Sequence, residues 1–100
     1  MEVTINKTDE KTLVKVSGRI DTTTAEQFGE AVAPLMAPEA GAIEIDCSEL
    51  DYTSSQGLRI FLMLQKTVTM NKGSLVLTNM QAPVKEVFDI TGFSSFIKII

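Results

Sequence analysis

Leu50-Asp51-Tyr52-Thr53-Ser54-Ser55-Gln56-Gly57-Leu58-Arg59 decides how this chain folds, because two different hydrophobic periods meet in it. Before it, Ala42-Ile43-Glu44-Ile45-Asp46 alternates with the period of two that marks a half-buried strand. After it, Leu58 to Met70 is too long and too rich in Leu and Met for a strand. That run predicts a helix from about Ser55 to Asn71, with Gly73 as its stop. The stretch between reads as a polar bend, and two adjacent serines fall where the helix begins. Backbone N–H groups at such a place lack intrahelical partners and favour a capping hydroxyl or a negative charge.

On the helix, Leu58, Phe61, Leu62, Gln65 and Val68 mark one face, and Ile60, Met63, Leu64 and Thr67 widen it. An apolar girdle of that width predicts burial between a sheet and neighbouring helices. A sharper reading leaves Met63 and Ile60 partly exposed to meet a partner.

Working outward to the N-terminus, Val3 and Ile5, then Leu13, Val14 and Val16, form two β-type runs. The polar connection from Asn6 to Lys11 makes them an antiparallel hairpin. Gly18 is expected to close the second strand, with Ile20 still pointing inward. Asp21-Thr22-Thr23-Thr24-Ala25-Glu26 is a helix start in which Thr23 and Glu26 match a capping box, with Asp21 or Thr22 as alternative caps. Ala25, Phe28, Ala31, Val32 and Leu35 recur at helical spacing. Pro34 predicts a kink or a loose final turn before Pro38, and Ala40-Gly41 returns the chain to the sheet.

Toward the C-terminus, Ser74 to Thr78 reads as a buried strand. A short helix follows, with Pro83 in its first turn, Val84, Val87 and Phe88 inward and Gly92 as its stop. Phe93, Phe96, Ile97, Ile99 and Ile100 form an apolar tail expected to pack and to include a last strand. The order β-β-α-β-α-β-α-β is α/β: a mixed sheet with helices packed against it and an antiparallel edge. Right-handed crossovers bring the Asp21–Thr23 bend and the Thr53–Gln56 bend to one end of that sheet, where ligand and partner sites collect.

One hundred residues, 44% hydrophobic and 22% charged, predict one globular domain over 1–100. The net charge of -4 argues against nucleic acid, which needs a basic face. No apolar run approaches the roughly 20 residues that span a bilayer, and the N-terminus lacks an export pattern. A cytoplasmic chain without membrane insertion is the expectation. The one cysteine, Cys47, excludes an internal disulfide and reads as an inert small residue at a strand end. With no histidine, Ser-His and Cys-His pairs and HExxH zinc sites are excluded. No glycine-rich phosphate loop or G-x-S-x-G frame is present either. Asp21, Asp46 and Asp51 could be imagined as a magnesium cluster, but the opening hairpin breaks the strand-helix order such a fold needs. No enzyme, cofactor or metal is therefore expected.

Gly18-Arg19-Ile20-Asp21-Thr22-Thr23-Thr24-Ala25, Ile43 to Leu50, Ser54-Ser55-Gln56-Gly57-Leu58-Arg59 and Val84 to Phe93 together resemble the STAS domain, whose members include the bacterial anti-sigma-factor antagonists. The likeness covers nearly the whole chain and rests on the order and spacing of the motifs. The resemblance implies a protein-binding switch. In the antagonists, a serine two residues before the glycine is phosphorylated by a partner kinase that is itself the anti-sigma factor. The unphosphorylated form binds that partner and frees the sigma factor.

Aligning on Gly57 puts Ser55 at the phosphorylated position, with Ser54, where the family usually has aspartate, as second choice. Asp21, Thr22, Thr23, Tyr52, Ser54, Ser55, Gln56, Arg59 and Met63 are then the expected partner-binding residues. The expected partners are an anti-sigma factor/serine kinase and a phosphatase; no oligomeric state is assigned. Two other readings stand beside the switch. Either serine could serve only as a helix cap. Alternatively, the chain could be a non-switching STAS scaffold in a membrane lipid-transport ATPase complex.

Overall fold

The computed structural model describes residues 1–37 and 41–100; the expectations for Pro38 and Ala40 lie outside the described residues. β1 (Glu2–Lys7) and β2 (Thr12–Ile20) form the opening hairpin, with Val3 opposite Val16 and Ile5 opposite Val14. α1 (Ala25–Val32) ends in a 3₁₀ turn, Ala33–Met36, with Pro34 in its first positions, so the loosened final turn expected of this proline is present. β3 (Ala42–Thr53), α2 (Ser55–Met70), β4 (Ser74–Thr78), α3 (Ala82–Ile90), a 3₁₀ turn at Phe93–Ser95 and β5 (Lys98–Ile99) follow. The strands lie in sequence order in one sheet, antiparallel at β1/β2 and parallel thereafter.

One face of that sheet is covered. Val14, Val16, Ile43, Ile45, Cys47, Leu75 and Leu77 are buried, while the alternate Lys15, Glu44, Asp46 and Val76 are not. Above the buried face, one phenylalanine from each helix meets its neighbour. Phe28 of α1 lies 5.0 Å from Phe61 of α2, which lies 5.5 Å from Phe88 of α3, all three fully buried. Tilted and edge-on ring contacts of this kind add about 0.5–1.5 kcal/mol each to area burial. The opposite face carries exposed ion pairs, Lys11–Glu44 at 3.1 Å and Lys15–Glu49 at 2.9 Å, which stabilise little.

Several local expectations are corrected. β2 does not close at Gly18 but runs through it at φ +90, between two shifts in the β2/β3 register. β3 does not stop at Asp46 but continues to Thr53, so Cys47 lies inside a strand and the polar bend shrinks to Ser54. Thr23 does not cap α1, because its hydroxyl and N–H are both turned onto the Asp21 carboxylate. The left-handed residue after α2 is Lys72 (φ 62); Gly73 is needed because a Cβ there would run into the Gly41 carbonyl.

The girdle of α2 divides into two faces. Gly57, Leu58, Phe61, Leu64 and Val68 are buried, whereas Met63 is 51% and Met70 81% exposed. Ile60 is half-buried against Gly29. The tail packs through Ile97, but Phe96 and Ile100 stand in solvent.

Candidate functional site

The C-terminal ends of β2 and β3 turn together into α1 and α2. The Ser54 N–H donates to the Ile20 carbonyl oxygen at 2.7 Å, so the two bends are hydrogen-bonded neighbours, as right-handed crossovers require. Ser54 is extended (φ -85, ψ 173) and caps α2: its Oγ accepts the Gly57 N–H at 3.3 Å. Its carbonyl accepts the Leu58 N–H at 3.0 Å and the Thr53 hydroxyl at 3.2 Å. With 8% exposure, Ser54 is committed to the fold.

Ser55 is the first helical residue and is exposed. Its hydroxyl has no hydrogen-bond partner among the described residues. Gly57 draws the first turn of α2 onto the sheet, since a Cβ there would overlap Thr53 Oγ1 and approach Ile20 Cγ2 to 2.7 Å.

Across the bend, the Asp21 carboxylate accepts the Thr23 hydroxyl at 2.7 Å and the N–H groups of Thr23 and Thr24 at 2.9 and 3.1 Å. The Thr23 hydroxyl first, with these N–H groups behind it, holds the carboxyl below the usual carboxylate range. The Asp21 carbonyl also accepts the Ala25 N–H at 2.9 Å, so Asp21 closes the turn that leads into α1, whose N-cap position is Thr24. Thr22, Gln56 and Arg59 line one open groove between α1 and α2, together with Glu26, Gly29 and Ile60.

The expected site residues thus gather at one end of the molecule, with two qualifications. Ser54 belongs to the packing rather than the surface, and Met63 lies about 12 Å further along α2 at ~1.5 Å per residue. Asp51 turns toward α3, where it accepts from the Gln81 side chain at 3.2 Å. Sequence reasoning missed Arg19. Its guanidinium lies 4.4 Å from the centroid of Tyr52, its register partner on β3. The signal was available: if Ile20 points inward, Arg19 points to the other face, beside whatever ends the adjacent strand. No group of three metal-ligating side chains exists among the described residues.

The family model described as "Mlab, STAS domain" matches residues 3–99. The chain is 30% identical to the anti-sigma-B factor antagonist of Bacillus subtilis, over 99% of this chain and 90% of that protein. It is 33% identical to the anti-sigma-B factor antagonist of Listeria monocytogenes, over 84% of this chain and 74% of that protein. Among solved structures, the Bacillus antagonist SpoIIAA has the same fold. Its unphosphorylated form superposes with TM-score 0.81 at 17% identity, covering 99% of this chain and 88% of that one. Its phosphorylated form gives 0.75 at 18% identity, covering 99% and 91%.

Proposed function

The chain belongs to the STAS domain family, in its anti-sigma-factor antagonist type, and from that premise we propose that Ser55 is the switch of a protein-binding surface. Unphosphorylated, the surface around Asp21, Thr22, Thr23, Tyr52, Gln56 and Arg59, reaching along α2 to Met63, binds an anti-sigma factor that is also a serine kinase. Phosphate on Ser55 ends that binding, and a phosphatase restores it. The setting is the cytoplasm, and no helix of the described residues is long and apolar enough to cross a membrane.

The observation that carries this reading is the difference between two adjacent hydroxyls. Ser54 Oγ is consumed in capping, whereas Ser55 is exposed at the first turn of a sixteen-residue helix. Phosphorylation adds ~1.5–2 negative charges there, at the helix end that carries partial positive charge. The fold therefore tolerates the modification, and what changes is the surface. A bulky dianion beside the Asp21 bend repels an acidic partner surface and must lose water to enter a tight interface. Arg59, one turn on, lies on the Ser55 side of the helix.

Antagonist-type STAS proteins are generally not enzymes, and the reading assigns this chain no catalytic residue. The scaffold alternative is weaker, because the relatives matched over most of the chain are antagonists by name. The test is a pull-down from native lysate with the parent, Ser55→Ala and Ser55→Asp as baits. The first two should recover a serine kinase that, given ATP, adds one phosphate to Ser55 of the parent. A partner held equally by all three baits, with no phosphate added, would favour the scaffold.

A further inference from the structure

We infer that Arg19, held over the ring of Tyr52, is an anion-binding anchor of the partner surface and takes a carboxylate from the docking protein. This rests on the reading that a protein docks beside Ser55, and it names the chemistry by which it does so.

The guanidinium lies over the Tyr52 ring, 4.4 Å from its centroid, and its N–H edge makes no hydrogen bond among the described residues. That edge is the fork that matches a carboxylate in two parallel hydrogen bonds. Both residues are exposed, Tyr52 at 39%, and among the described residues Arg19 has no carboxylate within salt-bridge distance. Lys15, four residues back on the same strand, is by contrast already committed to Glu49 at 2.9 Å.

The mount is fixed as well. The Arg19 carbonyl accepts the Thr24 hydroxyl at 2.7 Å, and the next carbonyl, that of Ile20, accepts the Ser54 N–H at 2.7 Å. A planar cation whose backbone is tied and whose side chain rests on a ring loses little further freedom on binding. Tyrosine and arginine are also the side chains on which interface energy concentrates.

Arg19 is moreover a cation set among acids, on a chain of net charge -4, with Asp21 two residues on and Asp51 next to Tyr52. An anion taken up by Arg19 would sit beside Tyr52, which precedes Ser55 by three residues in the chain. A partner carboxylate held there would be the acidic group that the phosphate of the switch repels.

The chain has two arginines, Arg19 and Arg59, so its Nε–H NMR spectrum contains its own control. Titration of the ¹⁵N-labelled chain with acetyl-triglutamyl-amide should shift the Arg19 signal with at least about threefold tighter apparent binding than Arg59. Tyr52→Leu, at an exposed position, should bring the two level. An Arg19 signal that responds no more than Arg59 overturns the anchor.

A second arm uses the kinase recovered by the pull-down. Arg19→Lys keeps the charge but not the planar fork, and should weaken binding about tenfold while saturating kinase still phosphorylates Ser55. Unchanged affinity also overturns the anchor. Failure to phosphorylate Ser55 in the parent overturns the wider reading instead, and the peptide titration then decides for or against the anchor alone.

Discussion

The Ser54 N–H and the Ile20 carbonyl oxygen are 2.7 Å apart, and this one backbone bond joins the end of β2 to the start of α2. Ile20 is fully buried beneath the helices, so the bond is anchored in the core at one end and in the serine pair at the other. Its consequence is a division of labour. Ser54 is drawn inward and caps the helix, which leaves Ser55 as the first side chain turned to solvent.

That division predicts unequal costs. Ser54→Ala removes the acceptor for the Gly57 N–H and should destabilise the fold by about 1 kcal/mol. Ser55→Ala removes nothing that the fold uses and should change stability by less than ~0.5 kcal/mol. Urea midpoints of the two variants check this. Equal losses would mean that both hydroxyls are structural.

Gly57→Ala forces a methyl against Thr53 Oγ1 and Ile20 Cγ2. Overpacking of this kind costs about 1–3 kcal/mol. If the hydroxyl is the main obstacle, adding Thr53→Ala should recover part of the loss, so that the double variant is more stable than the summed single effects. Additive losses in urea denaturation would contradict the contact.

The strong periodicities made most of this architecture legible: the hairpin, the crossovers and the two later helices lie where the sequence places them. The extension of β3 to Thr53 was not legible, for a physical reason. Buried positions run Ile43, Ile45, Cys47 and then Leu50, Thr53, because the register against β2 slips on both sides of Gly18. A period of two becomes three, and the residues cease to look like a strand.

The capping-box rule failed at Thr23 because Asp21, two residues earlier, offers a carboxylate that takes both the Thr23 N–H and its hydroxyl. For the serine pair, either hydroxyl could cap by composition. The choice depends on the backbone angles of Ser54, which no local pattern states.

Acid should act on this end of the molecule through Asp21. Its carboxyl is held below the usual range by the Thr23 hydroxyl, the Thr23 and Thr24 N–H groups and the Thr24 hydroxyl. Its stabilising contribution is therefore complete above the unfolded-state value of about 4, and is lost as pH falls through the depressed folded value. The difference in urea midpoint between the parent and Asp21→Ala should shrink as pH is lowered below ~4. A difference that stays constant to lower pH would show that Asp21 acts only by its shape.

Cys47 should be silent toward thiol reagents. It is fully buried in β3, and burial pushes its thiol up to about 12. Alkylation of the native chain at neutral pH should run at least about a hundredfold slower than in urea, since the thiolate is the reactive form. Comparable rates would mean that the strand opens readily.

The central claim is that a single phosphate on Ser55 decides whether a protein docks here. Calorimetric titration of the recovered kinase with the chain, before and after stoichiometric phosphorylation and under conditions that block turnover, tests it most directly. The account predicts that the phosphorylated chain binds at least about a hundredfold more weakly, a loss of roughly 2.7 kcal/mol, with an unchanged far-ultraviolet spectrum. Equal affinity for the two forms would contradict it.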